Sequence, residues 1–62
     1  MSTAARPKPY MTLAQAADYL EVSESTLKRA VYSGALSAKK VGGYYRFRTA
    51  DCDAWFDALP EA

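Results

Sequence analysis

Between Leu20 and Glu24 the chain stops one helix and starts another, and this junction restricts the possible folds more than any other stretch. Upstream, "TLAQ" is a capping box in which the Thr12 hydroxyl accepts from the Gln15 amide and the Gln15 side chain reaches back to the Thr12 amide. Leu13, Ala16, Ala17 and Leu20 then recur at helical spacing and predict a helix of about two turns. Downstream, Ser23 is a favoured N-cap before a second periodic run over residues 24–33. There Leu27, Ala30 and Val31 point one way, while Ser25, Lys28, Arg29 and Tyr32 point the other, with Glu24 near the boundary. Gly34 follows where a helix end favours a residue that tolerates left-handed backbone. A link of about three residues makes the two helices cross steeply rather than lie side by side.

With 62 residues, the chain is one domain, and a domain this size buries only about 60 % of the surface its unfolded chain exposes. The reading divides it into an N-terminal arm over residues 1–11, with Pro7, Pro9, Arg6 and Lys8 read as a soluble tail, and a folded domain over residues 12–62. The sequence has no histidine and one cysteine, Cys52. It therefore predicts no disulfide, metal site or cofactor, and the absence of a nucleophile–base pair argues against an enzyme. "MSTAARPKPY" has no apolar run of signal-peptide length, and no window approaches the roughly 20 apolar residues of a membrane span. The expected location is the cytoplasm, or the nucleoid if a phage encodes the chain.

The net charge of +1 hides a polarised chain. Residues 23–48 hold Lys28, Arg29, Lys39, Lys40, Arg46 and Arg48 against Glu24 alone. Residues 49–62 hold Asp51, Asp53, Asp57 and Glu61 with no cation. A basic face built from the middle segment favours an anionic partner; the alternative is that the acidic end neutralises it within the fold.

The basic segment includes two strand candidates, residues 36–41 and 45–48, around "KVGGYYRFRT". A two-residue Gly42-Gly43 loop would send Val41 and Phe47 to opposite sides. A three-residue loop, Gly42-Gly43-Tyr44, pairs Val41 with Tyr45, Lys40 with Arg46 and Lys39 with Phe47, and is the expected register. It gathers Val41, Tyr45 and Phe47 in the core, turns Lys40, Arg46 and Arg48 outward, and leaves Lys39 at the core's edge. Directly opposed like charges at Lys40 and Arg46 are mildly destabilising, so stability alone would not place them there. Thr49 is the expected N-cap of a last helix, with Asp51 and Asp53 suited to its positive end. Cys52, Trp55, Phe56 and Leu59 form its apolar stripe, Cys52 reading as a small core hydrophobe, before Pro60 ends it.

The expected fold is mainly α with a two-stranded β-hairpin wing, the layout of a winged helix-turn-helix that reads DNA. The second helix would enter the major groove with Ser23, Ser25, Thr26, Lys28, Arg29 and Tyr32. The wing would meet the backbone or minor groove with Lys40, Gly42, Gly43, Tyr44, Arg46 and Arg48. Lys28 or Arg29 paired with guanine O6 and N7 would contribute roughly 1–3 kcal/mol of discrimination.

Residues 12–56 resemble the excisionase family of DNA-binding domains, relatives of the helix-turn-helix module of MerR-type regulators. The resemblance rests on "TLAQAADYL", the Val22-Ser23 helix start, Thr26-Leu27, "SGAL", "VGGYYRFR" and "DCDAW", taken in order. It implies a recombination directionality factor: a non-catalytic protein that binds double-stranded DNA beside an attachment site, bends it, and turns a tyrosine integrase toward excision. It further implies a monomer in free solution that lies beside further copies of itself on DNA. A small MerR-like transcription regulator and a protein adaptor working through Tyr32 and Tyr44 are the alternatives; the regulator's long dimerisation helix has no counterpart in these residues. Three positions depart from the family pattern. Glu21 stands where glycine is usual, and left-handed backbone there costs about 1 kcal/mol or more. Glu24 and Ser25 replace positions that are often basic, and Lys39 replaces an apolar one.

Overall fold

The computed structural model describes residues 9–61. In chain order it comprises β1 (Tyr10–Thr12), α1 (Leu13–Leu20), α2 (Glu24–Tyr32), β2 (Lys39–Val41), β3 (Tyr44–Arg48) and α3 (Thr49–Asp57). The three strands form one antiparallel sheet in the order β1-β3-β2. Arg6 and Lys8, the cations assigned to the arm, lie outside the described residues. Tyr10 and Met11, also assigned to the arm, are instead in β1, pairing with Arg48 and Phe47. The expected two-stranded wing thus belongs to a three-stranded sheet. Met11 is buried, so this short edge strand contributes a side chain to the core.

α1 begins at the predicted capping box: the Gln15 amide donates to Thr12 Oγ1 at 3.2 Å, and the Thr12 amide donates to Gln15 Oε1 at 3.0 Å. The helix ends in a Schellman arrangement, with the Val22 amide bonded to the Ala17 carbonyl at 3.0 Å and the Glu21 amide to the Asp18 carbonyl at 3.2 Å. The residue between must be left-handed, and it is Glu21, at φ 56° and ψ 45°. α2 ends the same way. Ala35 donates to the Ala30 carbonyl and Gly34 to the Val31 carbonyl, and Gly34 takes the left-handed position at φ 83°. One motif is thus closed by glycine and once by glutamate, whose Cβ makes that backbone costly.

Ser23 caps α2 as expected, accepting from the Thr26 amide at 3.1 Å. Leu27 and Ala30 face inward, and Leu36 enters the core directly after the turn. β2 is accordingly shorter than the predicted 36–41 segment. Phe47, Leu27 and Cys52 are the largest fully buried side chains, surrounded by Met11, Ala16, Ala17, Ala30, Leu36 and Trp55. The small alanines on α1 and α2 let these helices approach closely.

The hairpin register differs from the expected one. Lys39 pairs with Arg46, Lys40 with Tyr45 and Val41 with Tyr44. Gly42 and Gly43 alone form the turn, at φ 59° and 86°. Two consecutive left-handed residues form the two-residue turn whose twist matches that of the flanking strands. A one-residue slip moves a strand's side chains to the other face. Val41 is therefore 56 % exposed rather than in the core. Tyr44 is in β3 rather than at the tip, Lys39 faces outward, and Lys40 joins the face of Tyr45 and Phe47.

α3 also differs in detail. Arg48 holds the N-cap position and Thr49 is the first helical residue, buried, with its amide bonded to the Pro9 carbonyl at 2.9 Å. Cys52 and Trp55 are buried as expected, but Phe56 and Leu59 are exposed. The helix stops at Asp57, before Leu59, and only its Cys52–Trp55 side meets the core. Burial and the neighbouring Asp53 and Asp51 push the Cys52 thiol above its usual pKa, which keeps it protonated and unreactive.

Two substitutions test this account. Glu21→Gly should raise stability by roughly 0.5–1 kcal/mol, read as a higher urea midpoint at unchanged slope, because glycine removes the left-handed penalty. Val41→Thr should change stability by less than about 0.5 kcal/mol at its exposed site, whereas a core valine would lose more to the buried hydroxyl.

Candidate nucleic-acid interface

α2 presents two adjacent exposed stripes. Glu24, Lys28 and Tyr32 succeed one another at i, i+4 and i+8, and Ser25 and Arg29 lie about 100° further round. Ser23 and Thr26 are already engaged at the helix start, their hydroxyl oxygens 2.8 Å apart.

The first stripe lines one side of an open groove of about 630 Å³. Lys40, Tyr44, Tyr45 and Arg46 of the hairpin line the other side, and the first turn of α1, at Thr12, Leu13 and Ala14, also lines it. Lys28, Lys40 and Arg46 outnumber Glu24, and the partial positive charge at the start of α1 adds to their field. The groove therefore favours an anion. Within it the Lys40 ammonium sits 5.3 Å above the Tyr45 ring centroid. Tyr45 in turn packs beside Phe47, with ring centroids 6.1 Å apart. The neighbouring Tyr32 phenol is the main cause that holds the Tyr45 phenol above its ordinary pKa, with partial loss of solvent adding to it. Tyr32, at the C-terminal end of α2, thus borders the same groove as Tyr45 of the wing.

Of the expected site residues, Lys28, Tyr32, Lys40, Gly43, Tyr44 and Arg46 line this groove. Gly42 forms the turn beside it, while Ser25 and Arg29 stand exposed on the neighbouring stripe. Arg48 is separate: its guanidinium carbon lies 5.6 Å from the Tyr10 ring centroid, and it lines a second groove with Lys39. The expected opposition of Lys40 and Arg46 is not found. The like-charged pair across the strands is Lys39 with Arg46. Lys39 and Tyr10 were not among the expected site residues. The Gly-Gly dipeptide, a strong signal for a two-residue hairpin turn, was the clue that locates Lys39.

Two short helices joined by a tight turn, followed by a hairpin whose side chains share a groove with the second helix, define a small winged helix-turn-helix. The chain matches the model of the helix-turn-helix domain over residues 10–60 and belongs to that family. The match begins at Tyr10, so it includes β1. No curated protein sequence matches the chain. Membership of the family points to DNA as the partner. Among the described residues no helix is long and apolar enough to cross a membrane.

The link between helix and wing can be read by titration. In Tyr32→Phe, the Tyr45 ionisation should fall toward the ordinary tyrosine range, seen as a lower midpoint in ultraviolet difference titration against the unsubstituted protein. An unchanged midpoint would mean that Tyr32 does not hold the wing.

Proposed function

We propose that this protein is an excisionase-like DNA-binding and DNA-bending accessory factor that sits beside attachment sites and directs a tyrosine integrase toward excision. The observation that carries the DNA-binding part is the groove in which the Lys28–Tyr32 stripe faces Lys40 and Arg46. The recombination role is supported by the resemblance of "TLAQAADYL", "SGAL", "VGGYYRFR" and "DCDAW" to excisionases.

In this reading α2 lies in the major groove. Arg29, on the outer stripe and without an ion-pair partner among the described residues, reaches base edges, with guanine O6 and N7 its best match. Lys28 lies between base and backbone, and Glu24 accepts from a cytosine amino group. A phosphate occupies the helix–wing groove, where Lys40 and Arg46 neutralise it and Tyr44 borders it. Tyr32 positions the wing. One small module makes few base contacts and binds modestly, so copies on adjacent sites supply the remaining affinity, each remaining a monomer in free solution. The work is done in the cytoplasm or on the nucleoid.

A mobility-shift titration on attachment-site DNA at several salt concentrations tests the proposal. A steep fall of affinity with salt, a ladder of bound species and a shift of integrase toward excision are expected; salt-insensitive binding would overturn the assignment of phosphate contacts. Arg29→Ala should relax sequence preference, with a loss of roughly 1–3 kcal/mol confined to the cognate site. Arg46→Ala should weaken all sequences about equally and lower the salt slope by about 1. Identical behaviour of the two variants would contradict the division between base and phosphate contacts.

A further inference from the structure

The hairpin register divides the wing's cations between two faces. Lys40 shares a face with Tyr45 and Phe47, whereas the pairs Lys39–Arg46, Tyr10–Arg48 and Val41–Tyr44 lie on the other. α1 and α3 pack against the Met11–Phe47 side. The opposite face is covered by no described helix, and Tyr10, Lys39, Val41, Arg46 and Arg48 are all exposed on it.

This face is concave and basic. A groove of about 350 Å³ is lined by Tyr10, Lys39, Val41, Arg46 and Arg48, by Ser37 and Ala38 of the connection to β2, and by Asp51 at the start of α3. It shares Val41 and Arg46 with the helix–wing groove but includes no residue of α2. Asp51 is the one carboxylate lining it. Among the described residues, Lys39, Arg46 and Arg48 form no ion pair, and Arg48 rests against the Tyr10 ring. Lys39 and Arg46 stand directly opposite each other, an arrangement that destabilises a bare sheet and is relieved by an anion between them. Arg46 and Arg48, two residues apart on β3, are separated by about 6.8 Å along the strand, close to the spacing of successive phosphates on one DNA strand.

We propose that this open sheet face binds the phosphodiester backbone of a second DNA duplex while α2 holds the first, so that one molecule bridges two DNA segments. The inference rests on the DNA-binding reading above. It assigns Lys39 a role that the first duplex does not require, because Lys39 lines only the sheet-face groove.

The test uses an immobilised duplex of about 15 base pairs, too short to wrap round the protein against the stiffness of DNA, and a second, labelled duplex in solution. The full chain should capture the labelled duplex, with capture falling steeply as salt rises. Lys39→Gln should reduce capture at least about fivefold while changing the mobility-shift affinity for a single duplex less than about threefold, since Lys39 lines only the sheet-face groove and a neutral amide brings no carboxylate opposite Arg46. Lys39→Arg should retain capture. Absence of capture by the unsubstituted protein where the mobility shift shows binding, or equal capture by Lys39→Gln, would overturn the bridging proposal and leave the DNA-binding reading standing. Loss of the mobility shift itself would overturn both.

Discussion

The Gly42-Gly43 turn is the constraint on which the rest of the surface depends. Both residues are left-handed, and that conformation closes the hairpin in two residues and fixes the pairing of β2 with β3. Because side chains alternate along a strand, this one choice decides that Lys40 shares the face of Phe47 and that Lys39 and Val41 lie on the face of Arg46 and Arg48. It also decides which lysine meets which arginine. With three residues in the turn the same sequence would place Val41 inside and Lys40 opposite Arg46, and the basic residues would form one continuous patch. With two residues they are divided, Lys40 toward α2, Lys39 and Arg48 on the open sheet face, and Arg46 at the edge the two grooves share.

The helical half depends on a different economy. α1 and α2 are short, of 8 and 9 residues, and helices of that length are marginal in isolation. Each is held by a side-chain N-cap, a Schellman exit and a buried inner face, Ala16 and Ala17 on α1 and Leu27 and Ala30 on α2. The exits aim the chain. The turn at Glu21 carries it into the second N-cap at Ser23, and the turn at Gly34 sends Leu36 into the core ahead of β2. Glu21 occupies the strained position although glycine would relieve it. With Tyr19, Val22 and Phe56 it lines a groove between α1 and α3, at the molecule's acidic end, where Tyr19 donates to Asp53 at 2.8 Å. That hydrogen bond is the main cause that raises the Tyr19 pKa.

Charge is thereby segregated in space as well as along the chain. Asp53 and Asp57 line the groove between α1 and α3, whereas the cations of α2 and β2–β3 line the two grooves beside the wing. Asp51 is the exception, reaching the end of the sheet-face groove. A polyanion approaching this small domain meets attraction on the helix–wing side and repulsion on the α1–α3 side, and this orients the encounter although the net charge is only +1.

The sequence by itself determined the first two helices and their caps, because these depend on contacts within three to five residues: Thr12 with Gln15, Ser23 with Thr26, Glu21 with Asp18. It also pointed to Lys28 of α2 and to Lys40 and Arg46 of the wing, which the fold brings to one groove. Only the tertiary structure decided the register, the third strand and the true extent of the core. β1 is three residues of unremarkable sequence that become a strand because β3 offers an edge for them to pair with. Phe56 and Leu59 have the spacing of core residues, but the core reaches only one side of α3 and leaves them exposed. Lys39 and Lys40 are adjacent and chemically identical. What separates them is the face of the strand each occupies, and that is set by two backbone angles at the glycine turn and by the partner strand's packing against α1 and α3.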